Sequence, residues 1–149
     1  MFRLSKLADY ATVLMACLSD DAGTLSAQAL AERTRLEAPT VAKLLKQLAQ
    51  AELVLSTRGA NGGYRLARPA AQISIAEIIA AIEGPLGMTE CSIHTGLCER
   101  ETHCAVSSNL RKISAAVEAA LRAVTLADMA APPLRWQPRV SVERVVVEA

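Results

Sequence analysis

The fold is decided by residues 38–66, which read APTVAKLLKQLAQAELVLSTRGANGGYRL. The first half predicts an amphipathic helix from Pro39 to about Ala51, because apolar residues recur at three- and four-residue steps. These apolar residues are Val41, Leu44, Leu45 and Leu48. The second half predicts two short strands, 53–56 and 64–68, joined by a turn rich in glycine and asparagine. A helix followed directly by such a hairpin is typical of a winged helix-turn-helix domain.

Helical periodicity continues on both sides of this stretch. Residues 4–18 and 27–33 predict two helices, the second of which completes the helix-turn-helix with the helix that starts at Pro39. Residues 75–83 predict a fourth helix. A long helix from about Ser107 carries a narrow apolar stripe, which we expect to pack against a second copy of the chain rather than against its own winged domain. The stripe consists of Leu110, Ile113, Val117, Leu121 and Val124.

These patterns divide the chain into four parts. Residues 1–83 are predicted to form the winged helix-turn-helix domain, and residues 84–106 an aperiodic segment that bears cysteines. Residues 107–130 are predicted to form a dimerisation helix, and residues 131–149 a C-terminal tail. Within that tail, residues 139–147 are β-branched enough for an edge strand, and a loose tail is the alternative. The predicted fold class is mainly α with a small β wing.

Composition narrows the class of protein. Of the 149 residues, 52% are hydrophobic and only 3% aromatic, which favours packed helices over a β sandwich or barrel. No apolar run approaches the roughly 20 residues that span a bilayer, and no secretory signal is visible. We therefore expect a cytoplasmic protein without a membrane partner or structural disulfides. No nucleophile–base motif, phosphate loop or cofactor fingerprint is found, so the sequence predicts neither an enzyme nor a small-molecule substrate.

Positive charge is concentrated in one part of the chain. Residues 33–68 hold seven Lys and Arg against two Glu, a net charge of +5 in a chain whose total is +1. Such a segment either contacts nucleic-acid phosphates or is an ordinary solvated face. Because it coincides with the predicted helix-turn-helix and wing, we predict that the chain binds double-stranded DNA. The predicted contact residues are Arg35, Pro39, Thr40, Lys43, Lys46, Arg58, Asn61, Gly62, Gly63 and Arg65.

Different contacts are expected from the helix and the wing. Thr40, Lys43 and Lys46 suit a helix that enters the major groove, where short polar side chains and cations meet bases and phosphates. Arg58 at the base of the wing could reach a minor groove. The glycines of the wing tip are expected to bring backbone N–H groups close to phosphates without side chains in the way.

Three of the four cysteines, Cys91, Cys98 and Cys104, lie in the aperiodic segment, with six and then five residues between them. Cys17 lies in the first predicted helix and is expected to be a buried small hydrophobe. The spacing matches neither a zinc ribbon nor a ferredoxin. Four interpretations stay open: an iron–sulfur cluster with a non-cysteine fourth ligand, a zinc site, a thiol switch that forms a disulfide, or three unconnected cysteines. The candidate fourth ligands are Asp9, Glu90, His94, Glu99, Glu101 and His103.

Several motifs resemble those of the IscR/NsrR-type (Rrf-type) winged-helix transcriptional regulators. They are RLSKLADYA at residues 3–11, STRGANGGYRL at 56–66, ISIAEII at 73–79 and EGP at 83–85, followed by the three spaced cysteines. The resemblance extends to about Met129. It is strongest to the regulators of the SUF system, which assembles iron–sulfur clusters.

This resemblance implies a homodimeric regulator whose affinity for DNA is set by an iron–sulfur cluster on Cys91, Cys98 and Cys104, with a two-iron cluster favoured over a four-iron one. Ser107 stands where the IscR-like members have a histidine ligand. The nitric-oxide-sensing members use an acidic residue at the position of Asp9, so Asp9 is the favoured fourth ligand and His103 the runner-up.

The helix predicted from Pro39 is the recognition helix of the helix-turn-helix. It has Ala42 and Lys43 where the IscR type has Glu and Gln, so the operator preference of that type is not carried over to this chain. The expected function is repression of iron–sulfur assembly genes, gated by the bound cluster. The alternative is a zinc-binding or thiol-switch winged-helix module that acts through protein contacts or disulfide formation.

Overall fold

A computed structural model describes residues 3–130 of the chain, which form a mainly helical fold with one two-stranded antiparallel sheet. This confirms the predicted fold class. The helices are α1 (Lys6–Ser19), α2 (Ala27–Thr34), α3 (Ala38–Gln50), α4 (Ile75–Glu83), α5 (Glu90–Ile93), α6 (Ser107–Ala123) and α7 (Leu126–Ala130), the strands are β1 (Val54–Thr57) and β2 (Gly63–Leu66), and 3₁₀ turns cover Ala70–Gln72 and Glu101–His103. The expected tail, 131–149, and its edge strand lie outside the described residues.

Local capping chemistry explains where the helices begin. α1 starts later than predicted because Ser5 is its N-cap, and the Ser5 side chain accepts a hydrogen bond from the Ala8 N–H at 3.1 Å. α3 starts at Ala38, so Pro39 is the second helical residue and not the first. Proline is tolerated there because the N–H groups of a first turn have no partner within the helix.

The core lies among α1, α3 and α4. One face of α1 supplies Ala8, Ala11, Leu14, Met15 and Leu18, none of which is more than 2% exposed. Leu126 of α7 is also fully buried, and an isolated β-bridge between Ser74 and Thr125 brings α7 back beside α4. The sequence predicted one helix over 107–130, whereas the structure divides it at the extended Val124 into α6 and α7. Thr125 and Asp128 carry a signal for the second start, because their side chains and backbone N–H groups cap α7 reciprocally.

The wing is tied to the helix-turn-helix by a third extended piece of chain. Leu25, just before α2, pairs with Tyr64 of β2 through two backbone hydrogen bonds of 3.0 and 2.8 Å. Gly63 is buried at this crossing, where an added Cβ would lie 2.7 Å from the Leu25 carbonyl oxygen. Only a glycine therefore allows β2 to approach Leu25 this closely.

The carboxylate of Glu77 joins the end of the wing to α4. It accepts hydrogen bonds from the Ser74 backbone N–H and hydroxyl, both at 2.9 Å, and pairs with Arg68 at 2.8 Å. Burial alone would raise the pKa of Glu77. The hydrogen bonds from Ser74 and the Arg68 guanidinium outweigh burial and lower that pKa from 4.5 to about 2.

This lowered pKa predicts an acid-sensitive contribution to stability. Because the folded pKa lies below the unfolded one, the contribution is complete above about pH 4.5 and is lost as the pH falls towards 2. We expect Glu77→Gln to lower the free energy of unfolding at pH 7 by about 1–2 kcal/mol, allowing for partial exposure. Urea unfolding of both proteins at pH 7 and pH 3 should show the difference shrinking at the lower pH. Glu118→Gln, which removes an exposed ion pair, should cost less than about 0.5 kcal/mol.

The apolar stripe of helix α6 was predicted to pack against a second copy of the chain, and the structure corrects this for part of the stripe. Leu121 and Val124 pack against the core of their own chain, so this part of the stripe is not left for a second copy. Ser114 is the only buried residue of the helix, and Ile113 is 50% exposed. A second face at alternating four- and three-residue steps consists of Asn109, Ile113, Ala116, Ala120 and Ala123, of which only Ala120 is half-buried.

Candidate nucleic-acid interface and cysteine segment

Helix α3 presents the side chains that the sequence assigned to DNA. Its apolar face is fully buried, so its opposite face is held outward. Lys43 and Lys46 are exposed on that outward face one turn apart, and Thr40 is half-buried near its start. The N-cap residue, Glu37, makes no side-chain hydrogen bond to the first turn. The first backbone N–H groups of α3 therefore receive no hydrogen bond acceptor from this side chain, and the positive end of the helix dipole can face an anion.

Arg35 occupies a conformation that residues other than glycine seldom adopt. It follows the last residue of α2 with φ 57° and ψ 30°, in the left-handed region favoured by glycine at helix ends. The Arg35 side chain is exposed in the turn between α2 and α3. The left-handed conformation ends α2 and keeps the exposed Arg35 side chain beside α3.

The wing places its charged side chains outward but uses part of its backbone internally. Arg58, Asn61 and Arg65 are all exposed. The N–H of Gly62 donates to the Gly59 carbonyl at 2.9 Å, and Gly63 is buried against Leu25. The Gly62 N–H is therefore not free to contact a phosphate, contrary to the expected role of the wing tip. The turn explains why residue 62 is a glycine, and the close approach to Leu25 explains why residue 63 is one.

Ion pairs divide the cations of the basic segment into two groups. Arg33 pairs with Asp21 at 2.9 Å, and Arg68 pairs with Glu77 at 2.8 Å. A hydrogen bond from the Gly23 N–H, together with Arg33, holds the pKa of Asp21 below its ordinary value. Within residues 3–130, the other five cations of the segment make no ion pair. They are Arg35, Lys43, Lys46, Arg58 and Arg65.

The three cysteines of the aperiodic segment have different surroundings. Cys91 lies in α5 and is 7% exposed, and its sulfur is 3.2 Å from the Thr89 hydroxyl oxygen. Cys98 is half-buried before the second 3₁₀ turn, and Cys104 is half-buried just after it. All four cysteines are free thiols, and Cys17 in α1 is half-buried rather than buried as expected.

The described part of the chain does not bring these thiols together into a ligand set. No group of three or more His, Cys, Asp or Glu side chains there is placed to hold a metal ion. His103 is exposed in the second 3₁₀ turn, and Asp9 is exposed in the first turn of α1. Asp9 lines a groove with Arg3 and Glu83, two residues that also line the groove at the base of the cysteine segment. Thiols with a carboxylate or an imidazole are suitable ligands for an iron–sulfur cluster, but this conformation of the segment does not bring them together.

One contact of the segment was missed from the sequence. Arg111 of α6 bonds to both α5 and the second 3₁₀ turn, where its ion-pair partner is Glu101, a residue that the sequence offered only as a candidate ligand. No signal in the sequence identifies this pairing, because a contact across an aperiodic segment leaves no periodic pattern. No helix within residues 3–130 is both long and apolar enough to cross a membrane.

Comparisons with known proteins give consistent similarities. A family model described as "Rrf2: Iron-dependent Transcriptional regulator" matches residues 4–132. The transcriptional regulator NsrR of Oceanobacillus iheyensis is 30% identical over 129 residues, which cover 85% of this chain and 88% of that protein. Among solved structures, IscR of T. potens is similar with a TM-score of 0.66 and 32% identity, over 86% of this chain and 85% of that one. The global cysteine regulator CymR of B. subtilis is similar with a TM-score of 0.68 and 29% identity, over 87% and 97%.

Proposed function

The chain belongs to the Rrf2 family of transcriptional regulators, and we propose that it represses transcription as a homodimer bound to double-stranded DNA through α3 and the wing. The family consists of regulators and not of enzymes. One observation carries the proposal: within residues 33–68, the five cations that make no ion pair in the described structure all lie on α3, on the turn before it or on the wing. Cations that are left without a protein partner are available to phosphates.

The geometry indicates how each element would contact the duplex. α3 turns Lys43 and Lys46 away from the core, as a helix in a major groove requires. Arg58 and Arg65 extend from a hairpin that is anchored to the helix-turn-helix through Leu25, so the wing reaches the flanking backbone from a fixed position. Gly62 and Gly63 contribute by shaping this hairpin.

Arg58→Ala tests the role of the wing. We expect it to weaken binding to a labelled mixed-sequence duplex of about 30 base pairs by about fivefold, and to reduce the salt slope of the affinity by about one. Fluorescence anisotropy over a salt series measures both quantities. Arg122→Ala is the matched control, because it removes the same charge from α6, where Arg122 pairs with Glu118. Equal losses in the two variants would count against a specific role for the wing.

The second face of α6 supports the homodimer. A 17-residue helix with one buried residue leaves most of its surface without a partner among residues 3–130. The four-and-three spacing of Asn109, Ile113, Ala116, Ala120 and Ala123 matches the seam of two packed helices. Alanines on such a seam let two helix axes approach closely. A two-fold dimer through this face would present two α3 helices to a palindromic operator.

We assign regulation of this dimer to an iron–sulfur cluster on Cys91, Cys98 and Cys104, with Asp9 as the favoured fourth ligand and His103 as the alternative. The iron-dependent description of the family and the three free thiols of one segment support this assignment. Since the thiols do not form a ligand set in the present conformation, binding requires the segment to rearrange. The proposed targets are genes of iron–sulfur assembly, and the proposed compartment is the cytoplasm, where thiols stay reduced. Iron and acid-labile sulfide in anaerobically purified protein would support the cluster, whereas zinc alone would contradict it.

A further inference from the structure

One side chain of α6 holds the cysteine segment at two separate places. The Nε of Arg111 donates a hydrogen bond of 3.1 Å to the carbonyl oxygen of Cys91 in α5. Its Nη2 forms an ion pair with Glu101 in the second 3₁₀ turn. The planar guanidinium is suited to two such contacts at once, because its N–H groups point in fixed directions.

Glu101 extends this connection to a third place. Its second carboxylate oxygen accepts a hydrogen bond of 2.6 Å from the N–H of Gly96. Gly96 has φ +88°, a conformation that disfavours any other residue. The Glu101 side chain is only 11% exposed, so its charged hydrogen bonds are partly shielded from water. Residues 91, 96 and 101 are thus fixed relative to one another and to α6.

Ser114, one turn after Arg111, holds the start of the same segment. Its hydroxyl oxygen accepts a hydrogen bond of 3.2 Å from the Met88 N–H, and Ser114 is 7% exposed. Arg111 and Ser114 lie three residues apart and therefore on one side of the helix. Polar contacts hold the segment on α6 at residues 88, 91 and 101, and Cys91 is the only buried side chain between residues 84 and 106.

We propose that Arg111 is a positioning residue that locks the segment in a closed conformation, with the sulfur of Cys91 buried and the three thiols apart. We call Arg111, Glu101 and their contacts to Cys91 and Gly96 the Arg111 clamp. Opening of the clamp is the step that frees Cys91. That this step then allows the three sulfurs to meet around a cluster rests on the function proposed above. The clamp itself is a property of the metal-free protein.

Residue-resolved alkylation of the metal-free protein tests the clamp. We expect Arg111→Ala to increase the rate at which iodoacetamide modifies Cys91 about fivefold or more in the presence of a chelator, because opening the segment exposes a buried thiol. Glu101→Gln, which keeps the size of the side chain but removes its charge, should give a smaller increase in the same direction. Arg122→Ala is the matched control, because it removes another ion-paired arginine of α6 and should leave the Cys91 rate unchanged. Mass spectrometry follows each cysteine separately.

Cys17 reports on global unfolding in the same molecules, because it lies in α1, outside the segment. A rise at Cys91 with a constant rate at Cys17 supports the clamp. An unchanged Cys91 rate in Arg111→Ala, or an equal rise at both cysteines in both variants, overturns it. None of these results depends on a cluster. If wild-type protein holds no iron or sulfide while the clamp variants still expose Cys91, the proposed cluster fails and the clamp stands.

Discussion

Cys98→Ala is expected to remove the visible absorbance of the anaerobically purified protein, together with its iron and acid-labile sulfide. An iron–sulfur cluster is held by thiolate bonds, and this segment offers only three of them. Loss of one thiolate would leave two sulfurs and a weaker oxygen or nitrogen ligand, too few to retain the cluster during purification. The effect should therefore be close to all or none, measured by absorbance spectroscopy and by iron and sulfide analysis.

Cys17→Ala is the control for this experiment. Cys17 lies in α1, outside the segment, and should be dispensable for the cluster. If Cys98→Ala retained the wild-type absorbance and iron content, the ligand set proposed here would be wrong. A colourless wild-type protein containing about one zinc per chain would favour a structural metal site instead.

Ile113→Glu is expected to dissociate the dimer. Ile113 is 50% exposed in the single chain and belongs to the second face of α6, so in the proposed dimer it would be covered by the partner. Two-fold symmetry places the substitution in the interface twice. If each copy costs about 1.5–3 kcal/mol, the dimer dissociation constant rises by about a hundredfold or more. Sedimentation equilibrium measures this change directly.

DNA binding should fall with the dimer, because a monomer can occupy only one half-site. Ala115→Glu is the matched control: it introduces the same charge at an exposed position of α6 that lies outside both faces. It should leave the sedimentation unchanged. If Ile113→Glu remained dimeric at micromolar concentration, the second face of α6 would not be the interface.

The sequence predicted those parts of the molecule that have periodic patterns. α4 begins and ends at the predicted residues, Ile75 and Glu83, because Ser74 and Glu77 form a capping box and Gly84 follows the helix. The recognition helix and the wing also form where expected, with ends shifted by one or two residues. Periodicity did not reveal α5 or the 3₁₀ turns, since helices of three or four residues are shorter than the pattern they would have to show.

Other features depend on tertiary contacts that the sequence pattern does not reveal. The apolar stripe of α6 is real, but its periodicity could not distinguish packing on the same chain from packing on a second one, and Leu121 and Val124 pack on their own core. The sequence predicted an accessible amide at Gly62, whereas the structure uses it within the turn. The ligand set of the three cysteines stays a prediction, because their meeting depends on a rearrangement of the segment that bears them.

The backbone pairing of Leu25 with Tyr64 has a consequence for signalling. It links the wing to the residue just before α2, so we expect the wing and the helix-turn-helix to move together. A signal that reaches this unit can change little in the arrangement of the wing relative to the helix-turn-helix. In the proposed dimer, such a signal can change the distance and the tilt between the two DNA-binding domains. If the proposed cluster binds the cysteine segment, its loss should therefore alter the preferred spacing between half-sites more than the bases contacted within each one.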